Sequence, residues 1–160
     1  MIQRVQSIFL LLSSICMILF LFLPVWLKID PASGEIYKVF STYMLHQENA
    51  ESVLQFIYLP YAYSGGVAAL TVIISWIEIF KYKNRLTQIK LGTLNSLLMT
   101  GSLVYLVYLT YNAQSEILPD ILGEYKLGLF MPAIALILNS IANRYIRKDE
   151  KLVRSVDRIR

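Results

Sequence analysis

Four stretches of the chain stay apolar for about the length that crosses a membrane, and the charge falls between them. A helix rises ~1.5 Å per residue, so a hydrocarbon core of ~30 Å takes about 20 residues. Ser7 to Leu27, SIFLLLSSICMILFLFLPVWL, carries no charge at all. The others run over residues 58–80, with Glu78 near the far end; 89–111, with Lys90 at the margin; and 125–145, with Lys126 and Arg144 at its two ends. The first follows a basic MIQR. Its apolar run exceeds the about 7–15 residues of a cleaved signal, and no A-x-A-like site follows before Asp30, so it is expected to remain as an anchor.

This pattern predicts an all-α integral membrane protein, a four-helix transmembrane bundle forming one domain. An outer loop covers 28–57, a cytoplasmic loop 81–88, an outer loop 112–124 and a cytoplasmic helical tail 146–160. Direction comes from the basic residues. Arg4, Lys81, Lys83, Arg85, Lys90 and every basic residue from Arg144 onward fall on one side, against Lys28, Lys38 and Lys126 on the other. Excess Lys/Arg marks the cytoplasmic side, so both termini are expected there.

Within the first outer loop, VWLKIDPASGEIYKVF alternates about an Asp-Pro-Ala-Ser-Gly turn and reads as a small hairpin, since proline presets a turn dihedral and glycine accepts a positive φ. The next part, with Met44, Leu45, Val53, Phe56 and Ile57 at helical spacing, reads as a short interfacial helix leading into Pro60. Most of the eleven tyrosines suit a belt at the membrane margins. Tyr105 and Tyr108 are deeper, and with the outer part of span two they are placed to line an outward cavity.

Lipid tails are as apolar as leucine, so helices associate through small residues and polar contacts. Ser64/Ala68 and Gly65/Ala69 in span two, Gly92/Ser96/Thr100 in span three, and Gly128/Pro132/Ala135/Asn139 in span four read as packing seams, with a substrate groove as the alternative. Asn95 and Asn139 each lie about six residues from the basic margin, or ~9 Å at the helical rise. An unpaired amide is costly in hydrocarbon, so the two are expected to meet each other or Ser75. Glu78 is near enough to the boundary for an ion pair with Lys81, Arg85 or Arg144, Arg144 being the expected partner, and a proton relay is the alternative.

Composition supports the membrane reading. The chain is 56% hydrophobic and 16% charged, against ~45–50% and ~25% for soluble domains. The net charge of +4 is accounted for by topology, so nucleic acid is not expected as a partner. Cys16 and His46, the one cysteine and the one histidine, provide neither a disulfide nor a metal site. No phosphate loop, H-E-x-x-H or G-x-S-x-G pattern occurs, so neither an enzyme nor a cofactor is expected.

In the tail, Leu152, Val153, Val156 and Ile159 form an apolar stripe at three- and four-residue steps. Beside it, Glu150–Arg154 and Arg154–Asp157 stand at helix-supporting spacing. With Arg158 these residues read as a docking surface for a protein, because a segment holding only anionic lipid would lose from each acid. A plain topology anchor is the alternative.

The opening MIQRVQSIFLLL, the four spans and the terminal NRYIRKDEKLVRSVDRIR resemble an uncharacterised family of small four-span inner-membrane proteins of Gram-negative bacteria. The resemblance implies an architecture and a bacterial inner-membrane location, and no catalytic residues. The expected function is an accessory or scaffold subunit of a larger inner-membrane protein complex, surrounded by membrane lipid and docking through the tail and first outer loop. The alternative is a small transporter or lipid-binding protein with a cavity between spans two and three. Cysteines introduced at Ser33 and Ser155 test the topology: in intact cells Ser33→Cys reacts with an impermeant maleimide and Ser155→Cys does not. Equal labelling overturns the orientation.

Overall fold

The computed structural model describes residues 3–48, 52–82 and 84–157, with side chains described from residue 5 to residue 153 within those stretches. Four helices, α1 (Gln3–Phe22), α2 (Ala62–Phe80), α3 (Arg85–Glu116) and α4 (Leu127–Asp157), are long and apolar enough to cross a membrane. α1 lies against α2 and α4, and α3 lies against the same two, so the bundle is four-sided.

The expected all-α fold is corrected by a five-stranded antiparallel sheet seated on one end of this bundle. Its strands are β1 (Trp26–Ile29), β2 (Ile36–Val39), β3 (Met44–Gln47), β4 (Gln55–Ile57) and β5 (Glu124–Tyr125), in the order β4-β3-β2-β1-β5. The Asp-Pro-Ala-Ser-Gly turn joins β1 to β2, pairing Ile29 with Ile36. Asp30 shapes it by accepting from Ala32 N at 2.9 Å and from the Ser33 hydroxyl at 2.7 Å, and Gly34 takes φ 78°. The Ser33 hydrogen bond, ahead of the one from Ala32, holds the Asp30 carboxyl below its ordinary range.

The segment read as an interfacial helix is instead β3 and β4, with Met44 opposite Ile57 and Leu45 opposite Phe56. A hairpin of two short strands is marginal alone. Pairing β2 with β3 completes its open edge and brings Met44 into the core, which a surface helix would not do. Two span ends also move. Pro24 lacks an N–H and bars its predecessor from helical geometry, so α1 stops at Phe22 and Trp26–Leu27 enter β1. Tyr125, placed at the start of span four, pairs with Trp26 in β5 instead.

Val25, Trp26, Val39 and Met44 from the sheet end join Met17, Phe20, Met99 and Leu106 of the helices in one buried cluster. Lys28 fixes the sheet to the bundle. It is 1% exposed, 5.7 Å from the centre of the Trp26 ring, and its ammonium donates to Ile117 O and reaches Gln114 O at 3.5 Å. Gln114 is in the last turn of α3 and Ile117 is its C-cap, where a cation meets both unpaired acceptors and the negative end of the helix dipole. Burial lowers the Lys28 pKa.

Gly128 marks the closest approach of α4 to the end of α1. A β carbon there would lie 2.5 Å from Pro24 O and 2.7 Å from Leu23 O, both backbone atoms that no rotamer change removes. Gly128→Ala is expected to destabilise the protein by ~1–3 kcal/mol, the usual cost of overpacking. Gly101→Ala, where a β carbon meets nothing within 4 Å, is expected to be neutral or stabilising. Thermal melts in detergent check both.

Candidate functional site

Toward the basic end the interior of the bundle carries a run of polar side chains, where its outside is apolar. Ser75 and Glu78 of α2, Gln88 and Asn95 of α3, and Asn139 of α4 are all 0% exposed, whereas Leu97, Val104, Ile73 and Ile137 face outward. On α3 the buried line is Gln88, Gly92, Asn95, Met99, Ser102 and Leu106, alternating steps of four and three. The expected Gly92/Ser96/Thr100 seam leaves the interior, for Thr100 is exposed. On α4, Gly128, Pro132, Ala135 and Asn139 are all buried.

The structure brings Asn95 and Ser75 together: the amide donates to the Ser75 hydroxyl at 2.8 Å, and that hydroxyl donates to Thr71 O at 3.0 Å. It does not join Asn95 to Asn139. The Asn139 amide donates to Gly92 O and to the Ser96 hydroxyl, each at 2.8 Å. One amide therefore ties α3 to α2, and the other ties α4 to α3. Gln88 adds a second α3–α2 link by donating to Glu78 O at 2.8 Å. α1 is held to α4 by the Ser13 hydroxyl, which donates to Ala135 O at 3.0 Å.

Glu78 is not paired with Arg144. Successive helical residues are ~100° apart, and on α4 it is Asn143 that points inward, which turns Arg144 to the outside. Glu78 Oε1 and Asn143 Nδ2 lie 2.7 and 2.6 Å from where a Gly92 β carbon would sit, so this glycine is what lets the three helices close. Neither carboxylate oxygen of Glu78 has a hydrogen-bond partner among the described residues, and the same holds for Gln88 Oε1, Asn95 Oδ1, Asn139 Oδ1 and Asn143 Oδ1. Chemically this is a seam of acceptors, with one carboxyl at its centre. Among the described residues no group of three His, Cys, Asp or Glu could hold a metal ion.

Beside the seam, Arg85 is committed to Asp149, at 3.0 Å to its carboxylate and 3.0 Å to its carbonyl. α4 runs on through this contact into the expected docking surface. Leu152 and Val153 there are exposed, and Arg154, Val156 and Asp157 lie in the helix, with Arg158 outside the described residues. Between α2 and α3 a groove of about 360 Å3 is lined by residues including Tyr63, Val67, Leu98 and Tyr105; Tyr108 is not part of its lining. On the sheet, Tyr37 stacks on His46 with ring centres 4.3 Å apart and donates to Glu35 at 2.8 Å. Burial, and then that hydrogen bond, push the Tyr37 hydroxyl up to about 12, which keeps it protonated.

Sequence reasoning missed the sheet edge. β4 is the end strand, all three of its residues are exposed, and the run Val53, Leu54, Phe56, Ile57, Tyr58 and Leu59 presents apolar surface to the outside. The signal was the density of apolar and β-branched residues over 53–59, masked by its coincidence with helical spacing.

Residues 2–159 match the model of a family described as a domain of unknown function, DUF4293, and the chain belongs to that family. No curated protein matches it.

Replacing Asn95 or Asn139 by leucine is expected to cost ~0.6–2 kcal/mol each, the range for polar contacts between membrane helices. Because the two amides have separate partners, the double variant loses about the sum. Asn95→Leu combined with Ser75→Ala loses less than the sum. Unfolding in mixed micelles measures all of these, and a non-additive Asn95/Asn139 pair contradicts the geometry.

Proposed function

We propose that this DUF4293 protein is a non-enzymatic accessory subunit of a larger membrane assembly. It sits in the cytoplasmic membrane of a bacterium, with both termini and the basic end inside and the sheet outside. The carrying observation is the apolar edge strand β4. An edge strand offers a row of unpaired N–H and C=O groups, and an exposed apolar one is a template on which another chain adds a strand or lays an apolar face. The tail supports a second contact, since Leu152 and Val153 stand exposed on a helix that continues past the span. The distribution of basic residues supports the orientation. Catalysis is left out because the sequence carries no nucleophile–base or phosphate-loop pattern, and the buried amide donors of Asn95, Asn139 and Gln88 are spent on helix–helix links.

The groove between α2 and α3 favours a second reading, a small lipid-binding or transport protein. Purification in mild detergent separates the two. The first expects a stoichiometric membrane-protein partner that is lost in the Ile57→Lys variant while the subunit still melts cooperatively, because that side chain is already exposed. A chain isolated alone, with lipid bound tightly until Gly101→Phe blocks the groove, replaces the first reading by the second.

A further inference from the structure

A recess of about 290 Å3 opens between α3 and α4 near the basic end, lined by Thr93, Ser96, Ser140, Asn143, Arg144 and Arg147. The four residues from α4 recur at steps of three, one and three, which puts them on one side of the helix. Its positive charge is uncommitted. Among the described residues Arg85 has Asp149 as its ion-pair partner, whereas Arg144 and Arg147 have no acidic partner. No acid lines the recess, and Glu78 is sealed behind Asn143 and Gly92 at 0% exposure.

Two apolar lanes lead away from it. One follows α3 past Leu94, Leu97 and Thr100, has Lys90 on its margin, and shares Thr93 and Ser96 with the recess. The other follows α4 past Ile141, Ile137 and Leu136, and shares Ser140 and Arg144. Both run from the basic margin toward the middle of the spans, over a distance of ~12–16 Å at the helical rise. A soluble anion has no use for such lanes, and a zwitterionic headgroup would bring an ammonium that finds no carboxylate here. The geometry points to a site for one anionic phospholipid, its phosphodiester held by Arg144, Arg147 and the Ser140 hydroxyl and its two acyl chains lying in the two lanes. Basic pockets between helices on the positively charged side suit this ligand class. The site is separate from the sheet edge, meets the α2–α3 groove at Leu97 alone among their lining residues, and depends on neither reading above.

Native mass spectrometry of the full chain in mild detergent tests the site, with phosphatidylglycerol, phosphatidylcholine or glycerol 3-phosphate added. The expected result is one retained phosphatidylglycerol per chain, preferred over phosphatidylcholine. Arg144→Gln/Arg147→Gln lowers its retention by about thirtyfold, from two basic residues near an anionic headgroup. Ser140→Trp fills the recess without changing the charge and lowers retention similarly. Lys148→Gln/Lys151→Gln, the same charge loss on exposed positions farther along α4, leaves retention within about twofold if the site is local. Melting curves for each variant separate lost binding from lost folding. Equal losses in the two double variants would mean diffuse attraction and overturn the site, and so would equal retention of the zwitterionic lipid. Binding of glycerol 3-phosphate alone with the same arginine dependence would overturn the lipid in favour of a soluble phosphate ester.

Discussion

Four helices that face lipid cannot be driven together by hiding apolar surface, because the solvent is as apolar as they are. Everything else in this protein depends on that constraint. It adds a second set of contacts to the apolar core, so that serine, asparagine, glutamine and glycine link the helices inside while most of the outward surface is leucine, isoleucine and valine. It also sets a strict geometry. An amide works as a link only if a partner on the next helix lies within hydrogen-bond reach, and Asn95–Ser75 and Asn139–Gly92/Ser96 meet it at 2.8 Å. A leucine seam would slide or rotate at little cost, whereas this one has a single register.

The sheet follows from the same constraint at the end of the bundle. A connection between spans has to satisfy its backbone once it leaves the helix, and the strands β1 to β4 that follow Pro24 do so by pairing with each other and with Glu124–Tyr125. β5 therefore ties the third connection to the first, and Gln114 strengthens the join by accepting from Gly123 N and donating to Ile121 O. Lys28 completes it by capping α3. The result is that the end of α3, the sheet and the entry to α4 are tied together, with Trp26 packed at the seat that Gly123 leaves open.

The helices are legible in the sequence because ~20 apolar residues are a signal with little competition. The sheet was only partly so. Strands of three or four residues give period-two alternation no room to outweigh a chance helical spacing, as happened over Met44–Ile57. Nothing local announces that Glu124–Tyr125 will pair with Trp26–Leu27, almost a hundred residues away. The site shows the same limit. Depth in the membrane can be counted along a helix, and that count sets Asn95 beside Asn139 and Glu78 beside Arg144. Rotation about the axis cannot be counted that way. A one-residue difference, Asn143 against Arg144, moves a side chain through ~100°, enough to exchange an inward amide for an outward guanidinium.

That exchange has a consequence for where charge can act. Asn143 stands between the buried carboxyl and the arginines, touching the Gly92 backbone on one side and lining the basic recess on the other. The negative and positive groups of this end are therefore held apart rather than neutralising each other. A carboxylate pair for Arg144 would have neutralised one of the two cations that line the recess and left it Arg147 alone. With Asn143 inward, the interior keeps its acceptors and the margin keeps its donors. The choice at one helical position thus separates a seam that holds the bundle together from a surface able to hold an anionic ligand.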